Sequence, residues 1–161
     1  MASDMFIKIK GIEGGSVDAA HPNEIDVLNW KWGLTNDSYS VGIGGASHGK
    51  VDVQDFTFTK PQDKATTALM KKCCQGDEID EVVFTVRKSA AEPIEYMKIK
   101  LSKVHVTALS TGLSSGDGLL LETVSLRFSK FEVMVQPLSG SGHKQGGKVE
   151  VGYDIEKNKL S

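Results

Sequence analysis

The chain has 161 residues, a length at which a single domain buries about two-thirds of its unfolded surface. It is 39% hydrophobic and 25% charged, as in ordinary globular proteins, and its net charge of −2 gives no general attraction to nucleic acid or anionic lipid. The amino terminus lacks the features of a signal peptide, and no run of about 18 apolar residues is present. We therefore predict one domain over residues 1–161, with no membrane span and no cleaved leader.

The first third of the chain is predicted to form strands separated by glycine-rich loops. Phe6, Ile7 and Ile9 begin the first strand. A second strand is predicted over residues 25–33, where the apolar positions change from one phase to the other. Residues 34–49 are polar and rich in glycine, which indicates a long loop with a function of its own.

Residues 50–76 predict a bent strand followed by one short helix. The apolar positions change phase at residues 54–55, which indicates a β-bulge, and Pro61 ends the pairing because it has no N–H. Asp63 is placed to cap the helix, and Gly76 suits the left-handed residue that ends it. The apolar face of this helix consists of Ala65, Leu69 and Cys73.

The second half of the chain is predicted to be β throughout. Strands are predicted over residues 82–86, 96–109, 120–135 and 149–155, and two of them change their inward face partway along. Long strands that bend in this way are needed to fold a sheet over or to close it. The predicted fold is mainly β: an antiparallel β-barrel or two packed sheets, with one short α-helix on the outside.

No motif in the chain supports a catalytic site. Residues 112–116 have the spacing of a nucleophile elbow, but they lie between two predicted strands and not between a strand and a helix. The loop histidines His21, His48 and His143 are expected to be solvated, and the adjacent cysteines have no histidine near them in sequence. We predict no catalytic residue, no cofactor and no metal ion.

Two functions from other classes stay open on these residues alone. A secreted carbohydrate-binding jelly-roll module would stack a sugar on Trp30 and Trp32, although such a pair more often packs in a core. A small enzyme would use His48 or His143 from flexible loops.

Several segments, spread from Met5 to about Lys159, together point to one protein family. They are MFIKIKGIEGGS, IDVLNWKWG, KVDVQDFTFTKPQDKATTALMKKC, VVFTVRK, IEYMKIKL, LETVSLRFSKFEV and VGYDIEKNK. This set resembles the haemolysin-coregulated proteins (Hcp) of the bacterial type VI secretion system. The resemblance implies a structural subunit and not an enzyme: hexameric rings that stack into the inner tube and carry or chaperone small effectors in the lumen.

The resemblance also implies partners and a location. The implied partners are further copies of the chain, a VgrG-type spike protein, contractile sheath proteins and small secreted effectors, without nucleic acid or membrane insertion. The implied location is the bacterial cytoplasm, followed by export to the extracellular space or a target cell without a cleaved signal peptide.

In such a tube two sets of residues become candidate contacts. Asn29 and Lys31 alternate with the tryptophans, so they are expected on the opposite face, on the lumen wall. Ring stacking is expected to involve one long loop, one turn and the carboxy-terminal tail. The residues expected there are Asp37, Ser38, Gly44 and Gly45 in the loop, Ala90 and Glu92 in the turn, and Lys157 in the tail.

Overall fold

The computed structural model describes residues 3–36, 51–113, 116 and 118–161. Within these ranges the chain is mainly β with one helix, α1 (Ala65–Gln75), and no helix there has the length and apolar character needed to cross a bilayer. The strands are β1 (Ser3–Ile9), β2 (Ile25–Asp26), β3 (Asn29–Lys31), β4 (Leu34–Asn36), β5 (Val51–Val53), β6 (Phe56–Pro61), β7 (Ile79–Lys88), β8 (Ile94–Leu113), β9 (Leu120–Arg127), β10 (Lys130–Val135), β11 (Val149–Asp154) and β12 (Lys159–Leu160).

The strands form two packed antiparallel sheets that share β8. Sheet A has the order β12-β11-β10-β8-β7-β1-β2, and sheet B has the order β3-β6-β9-β8; β4 and β5 form a separate ribbon. The predicted pair of sheets with an outer helix is confirmed. The described residues form no closed barrel, because β2, β3 and β12 each pair with one strand only. Fully buried side chains between the sheets include Ile7, Phe56, Phe58, Phe84, Leu101 and Leu126.

A single residue, Lys103, turns β8 from sheet A into sheet B. Its φ of +53° lies in the left-handed region, which is uncommon for a residue with a side chain. Pairing of β8 with β10 ends at Ser102, and pairing with β9 begins at His105. The corner also shifts the alternation, so that Leu101 before it and Val104 after it are both fully buried. The phase change predicted for residues 96–109 is therefore confirmed.

Three strands that were predicted to be continuous are interrupted where their phase changes. Residues 25–33 divide into β2 and β3, residues 50–60 into β5 and β6, and residues 120–135 into β9 and β10. The prediction of unbroken strands was wrong because the segments on either side of each bend pair with different strands or, for β9 and β10, with different halves of β8. At the last of these breaks the Ser129 N–H donates to the Ser102 carbonyl, at 3.0 Å, beside the β8 corner.

Helix α1 begins and ends as its sequence predicts. The Asp63 carboxylate accepts a hydrogen bond from the Ala65 N–H at 2.9 Å, while the Asp63 N–H donates to the Thr66 hydroxyl at 3.2 Å. Lys64, immediately before the helix, contributes no side-chain cap, so Asp63 performs that role one position earlier. Gly76 has a left-handed φ of +69° and ends the helix.

A buried ion cluster closes the core where sheet B meets α1. Lys60 and Glu122 are cross-strand neighbours on β6 and β9, are 0% and 1% exposed, and their Nζ and Oε2 atoms are 2.7 Å apart. The same ammonium lies 2.9 Å from the Asp63 carboxylate and donates to the Pro61 carbonyl. Since Asp63 also accepts from the Gly15 N–H at 3.2 Å, the cluster joins sheet B, the helix and the loop after β1.

We expect Lys103→Val to lower the free energy of unfolding by about 1–3 kcal/mol, because a β-branched residue is disfavoured at a left-handed φ. Lys103→Asn loses the same exposed contact with Glu156, but asparagine tolerates a left-handed φ. The free energy of unfolding of this variant should therefore stay close to that of the wild type. Lys8→Val on the exposed face of β1 is the control for the change of side chain in a regular strand. Urea unfolding at fixed protein concentration measures the free energy of unfolding of all three variants. Equal values for Lys103→Val and Lys103→Asn would contradict a left-handed conformation at this position.

Removing the cation from the buried cluster should be costly. Lys60→Met leaves the Glu122 carboxylate buried and unpaired, which we expect to cost about 3–5 kcal/mol, whereas Lys60→Met with Glu122→Leu should recover much of that loss. Lys64→Met removes an exposed lysine at the same helix start and should cost less than about 1 kcal/mol. If Lys60→Met proved as stable in urea as the Lys64→Met control, the buried Lys60–Glu122 pair would not be needed to stabilise this end of sheet B.

Candidate assembly surfaces

The outer face of sheet B carries hydroxyl and amide side chains and two exposed cations, Lys31 and Arg127. The Thr57 and Ser125 hydroxyls lie 2.9 Å apart across β6 and β9. Lys31 is exposed and forms no ion pair with any described residue, so its charge is available to a molecule outside the chain. Two cross-strand rows make up this face: Lys31, Thr57 and Ser125 in one, and Asn29, Thr59 and Thr123 in the other.

The two tryptophans of the β3 region pack on the opposite, inward side. The Trp30 ring centroid is 4.8 Å from that of Phe84, and the Trp32 centroid is 4.9 Å from that of Phe131. The Trp32 indole N–H donates to the Gln54 carbonyl at 2.9 Å. Both rings are half-buried against the core, which favours the core role over a platform for a sugar.

Sheet B has two lateral edges with unused backbone groups. Within the ranges that the structure describes, β3 pairs only with β6, and β8 beyond Val104 pairs only with β9. Open edges of this kind are templates for pairing with another chain.

Sheet A extends past the area that sheet B covers and exposes apolar side chains there. Tyr153 on β11 lies opposite both Phe131 and Leu160, so these residues share the inward phase. Val149, Val151 and Leu160 occupy the same phase but are 58%, 50% and 67% exposed. We call these three residues the apolar strip; it belongs to an inner sheet face that none of the described segments covers.

The turns predicted to contact neighbouring rings lie at opposite ends of sheet A. The turn at residues 89–93, with Ala90 and Glu92 exposed, follows the end of the β1–β7 pairing. The turn at residues 155–158, with Lys157 exposed, lies beyond the Lys130–Asp154 pair at the other end. The remaining loop candidates and one histidine lie outside the described residues: Asp37, Ser38, Gly44, Gly45 and His48.

The loop of residues 13–24, here called the strap, covers part of the outer face of sheet A. Its backbone closes on itself, with the Gly14 N–H donating to the Asn23 carbonyl at 2.7 Å. A Cβ on Gly14 would lie 2.5 Å from the Glu24 carbonyl oxygen, so the close approach requires glycine. The His21 ring stacks on the Phe6 ring at 4.4 Å, and Phe6 is only 4% exposed although it follows the outward phase of β1.

An arginine on β7 holds one side of the strap. Arg87 donates to both carboxylate oxygens of Asp18, at 2.9 and 2.7 Å, and to Asp4 at 3.1 Å. The hydrogen bonds from Arg87 hold the pKa of Asp18 well below its usual range, although burial opposes the shift. The Asp18 contact likewise raises the pKa of Arg87. This pair therefore keeps its charges across all ordinary pH values.

A histidine between two carboxylates holds the other side. His21 Nδ1 lies 2.6 Å from Glu24, and Nε2 lies 2.7 Å from Glu95 on β8. Burial alone would raise the pKa of Glu95, but hydrogen bonds from Lys98 and His21 outweigh it and lower that pKa. The expectation of a solvated His21 was wrong, because its ring is buried between Phe6 and these carboxylates. Its partner Glu95 is 74 positions away, so no local pattern signals the contact.

Comparisons with known proteins agree on one family. The family model described as "Type VI secretion system effector, Hcp" matches residues 6–135. The protein hcp1 of Pseudomonas aeruginosa is 43% identical over 159 residues, which cover 98% of each chain.

Solved structures support the same assignment. A crystal structure of Hcp1 from Salmonella typhimurium matches with a TM-score of 0.83 and 35% identity over 100% of both chains. A type VI secretion system effector from Yersinia pestis matches with a TM-score of 0.78 and 33% identity over 94% of this chain and 100% of its own. With two packed sheets and one helix in its described part, and with full-length similarity to these proteins, the chain belongs to the Hcp family of type VI secretion proteins.

Proposed function

We propose that this chain is the ring subunit of a type VI secretion tube, in which hexameric rings stack and carry small effectors through a central lumen. The observation that carries the proposal is the apolar strip: Val149, Val151 and Leu160 form part of an inner sheet face that no described segment covers. Apolar surface left in water costs about 25 cal/mol per Å², so a second copy that covers the strip stabilises the contact. A contact between two different surfaces, repeated by rotation, closes into a ring.

The lumen wall is assigned to the outer face of sheet B. Its hydroxyl and amide rows suit a water-filled channel, and pairing of the β3 edge with the β8 edge of a neighbour would continue the sheet around the ring. Asn29 and Lys31 would then face the lumen. One Lys31 from each subunit would set a belt of positive charge against the cargo.

Stacking is assigned to the two ends of the subunit. The turn with Ala90 and Glu92 would meet the turn with Lys157 of the next ring, since the two turns lie at opposite ends of sheet A. The loop residues expected to assist are Asp37, Ser38, Gly44 and Gly45. Exposed charged contacts are each worth about 0–1 kcal/mol, but repetition around a ring multiplies their effect. A VgrG-type spike protein, contractile sheath proteins and secreted effectors are the further partners of this proposal.

Ring formation and cargo retention should separate in two single variants. Val151→Glu places a charge in the strip and should convert rings into single chains, whereas Lys31→Glu should keep the ring and change how much effector co-purifies with it. Both residues are exposed in the single chain, so neither change should unfold the subunit. Light scattering on a sizing column measures the mass, and Glu150→Gln on the opposite phase of β11 is the control.

Three results would contradict these assignments. Intact rings with Val151→Glu would remove the strip from the subunit contact. Loss of rings with Lys31→Glu would place this face at the contact and not on the lumen wall. A single chain for the wild type at high concentration would overturn the ring itself.

Paired cysteines should report how the rings stack. In a background of Cys73→Ser and Cys74→Ser, we expect Ala90→Cys together with Lys157→Cys to form disulfide-linked ladders under oxidation, because opposite ends would meet. Each single variant should remain unlinked. Ladders from Ala90→Cys alone would mean that like ends face each other, and denaturing electrophoresis without reductant distinguishes the two patterns.

A further inference from the structure

We infer that the cargo of this chain is a protein with an acidic surface, and that Lys31 on the outer face of sheet B holds it. The inference rests on the proposed ring, because that face must line the lumen. It goes further by naming the class of cargo and the force that retains it.

Lys31 carries the unbalanced charge of this face. It is exposed and has no ion-pair partner within residues 3–36, 51–113, 116 and 118–161. The other exposed cation, Arg127, lies with its Nε 3.0 Å from an Asp55 carboxylate oxygen. On β8, His105 is opposite Arg127 and lies 3.8 Å from Glu78. Each subunit therefore presents one positive charge that no described group of its own chain neutralises.

The two central rows of the face offer hydrogen bonds and little apolar surface. The Thr57 and Ser125 hydroxyls lie 2.9 Å apart, and those of Thr59 and Thr123 lie 3.4 Å apart. None of the exposed large apolar side chains in the described ranges belongs to these two cross-strand rows. A cargo on this face is therefore held by charge and hydrogen bonds, and burial of apolar surface adds little.

Repetition around a ring would turn one weak contact into retention. Sheet B is four strands wide and strands lie about 4.8 Å apart, so successive copies of Lys31 would be about 20 Å apart or farther. This spacing exceeds the Debye length of about 8 Å at physiological salt, so each lysine would act on its own acidic group of the cargo. Several such contacts to one cargo combine through their effective concentration.

An acidic residue farther along the same strands does not neutralise Lys31. Asp52 on β5 is opposite Thr35 on β4, which lies four positions beyond Lys31, or about 13 Å of extended chain. This separation also exceeds the Debye length. The positive charge of Lys31 is therefore left to act on a cargo.

Nucleic acid is the other class of polyanion that a positive wall could attract. Duplex DNA carries one charge per 1.7 Å of its axis, and proteins that bind single strands add aromatic side chains on which the bases stack. One unpaired lysine per subunit is a sparse match for such a charge density. Trp30 and Trp32 pack on the inward side of sheet B and provide no platform for bases. An acidic protein surface fits these features better.

Peptide binding to the purified ring tests the inference with defined probes. The probes are three peptides of equal length in which glycine alternates with glutamate, lysine or glutamine, each carrying the same uncharged dye. We expect fluorescence anisotropy to show binding of the glutamate peptide, with an affinity that falls steeply as salt is added. Lys31→Met should weaken this affinity on the order of tenfold, as expected when two or three weak surface contacts are lost together.

Two further variants separate the role of Lys31 from a general loss of positive charge. Lys31→Arg keeps the cation and should bind the glutamate peptide as the wild type does. Lys71→Met removes an exposed lysine of helix α1 and should leave the affinity unchanged.

Light scattering establishes the mass of every variant, so that failure of the ring and failure of the inference are distinguished. A wild type without rings overturns both. If rings form, the inference alone is overturned when the lysine or glutamine peptide binds as tightly as the glutamate peptide, or when Lys31→Met binds the latter like the wild type. Tighter binding of a single-stranded oligothymidylate of equal charge would assign the face to nucleic acid and overturn the inference as well.

Discussion

A strand that serves two sheets is the constraint on which the rest of this subunit depends. Because β8 passes through Lys103 from sheet A to sheet B, one continuous strand belongs to both sheets, and the bends between β2 and β3 and between β9 and β10 cross between the sheets as well. The same corner keeps Leu101 and Val104 in the core on either side of the turn. It also leaves the far half of β8 as an open edge of sheet B and lets β11 extend beyond the cover of sheet B. The β8 edge proposed for assembly thus follows from the way this strand is bent.

Charged groups join the elements at the margins of this sandwich. Lys60, Glu122 and Asp63 connect sheet B, helix α1 and the base of the strap, while Arg87 and His21 connect the tip of the strap to sheet A. Buried ion pairs contribute little net stability but are costly to break singly, so they favour one arrangement over slipped alternatives. Rigid margins would suit the proposed ring subunit, which would present matching surfaces to further copies of itself.

The sequence predicted the architecture better than the contacts that fix it. Alternation, its phase changes, and the helix signals at Asp63 and Gly76 are local, and each appears in the structure at the expected place. The phase changes predicted where the strands bend. They did not predict that the strands are interrupted there, because an interruption depends on which neighbouring strand each segment pairs with. Lys60 was missed because lysine rarely occupies an inward position, and its partner Glu122 is 62 residues away. The outward face of Asn29 and Lys31 followed from alternation, whereas a single chain does not determine what that face contacts.

The most direct test of the account is electron microscopy of the purified protein, with class averages good enough to place the two sheets. We expect closed hexameric rings whose channel is lined by the outer face of sheet B, with Lys31 on the wall and the apolar strip covered by a neighbouring subunit. Rings lined by sheet A, or single compact particles at every concentration, would contradict it.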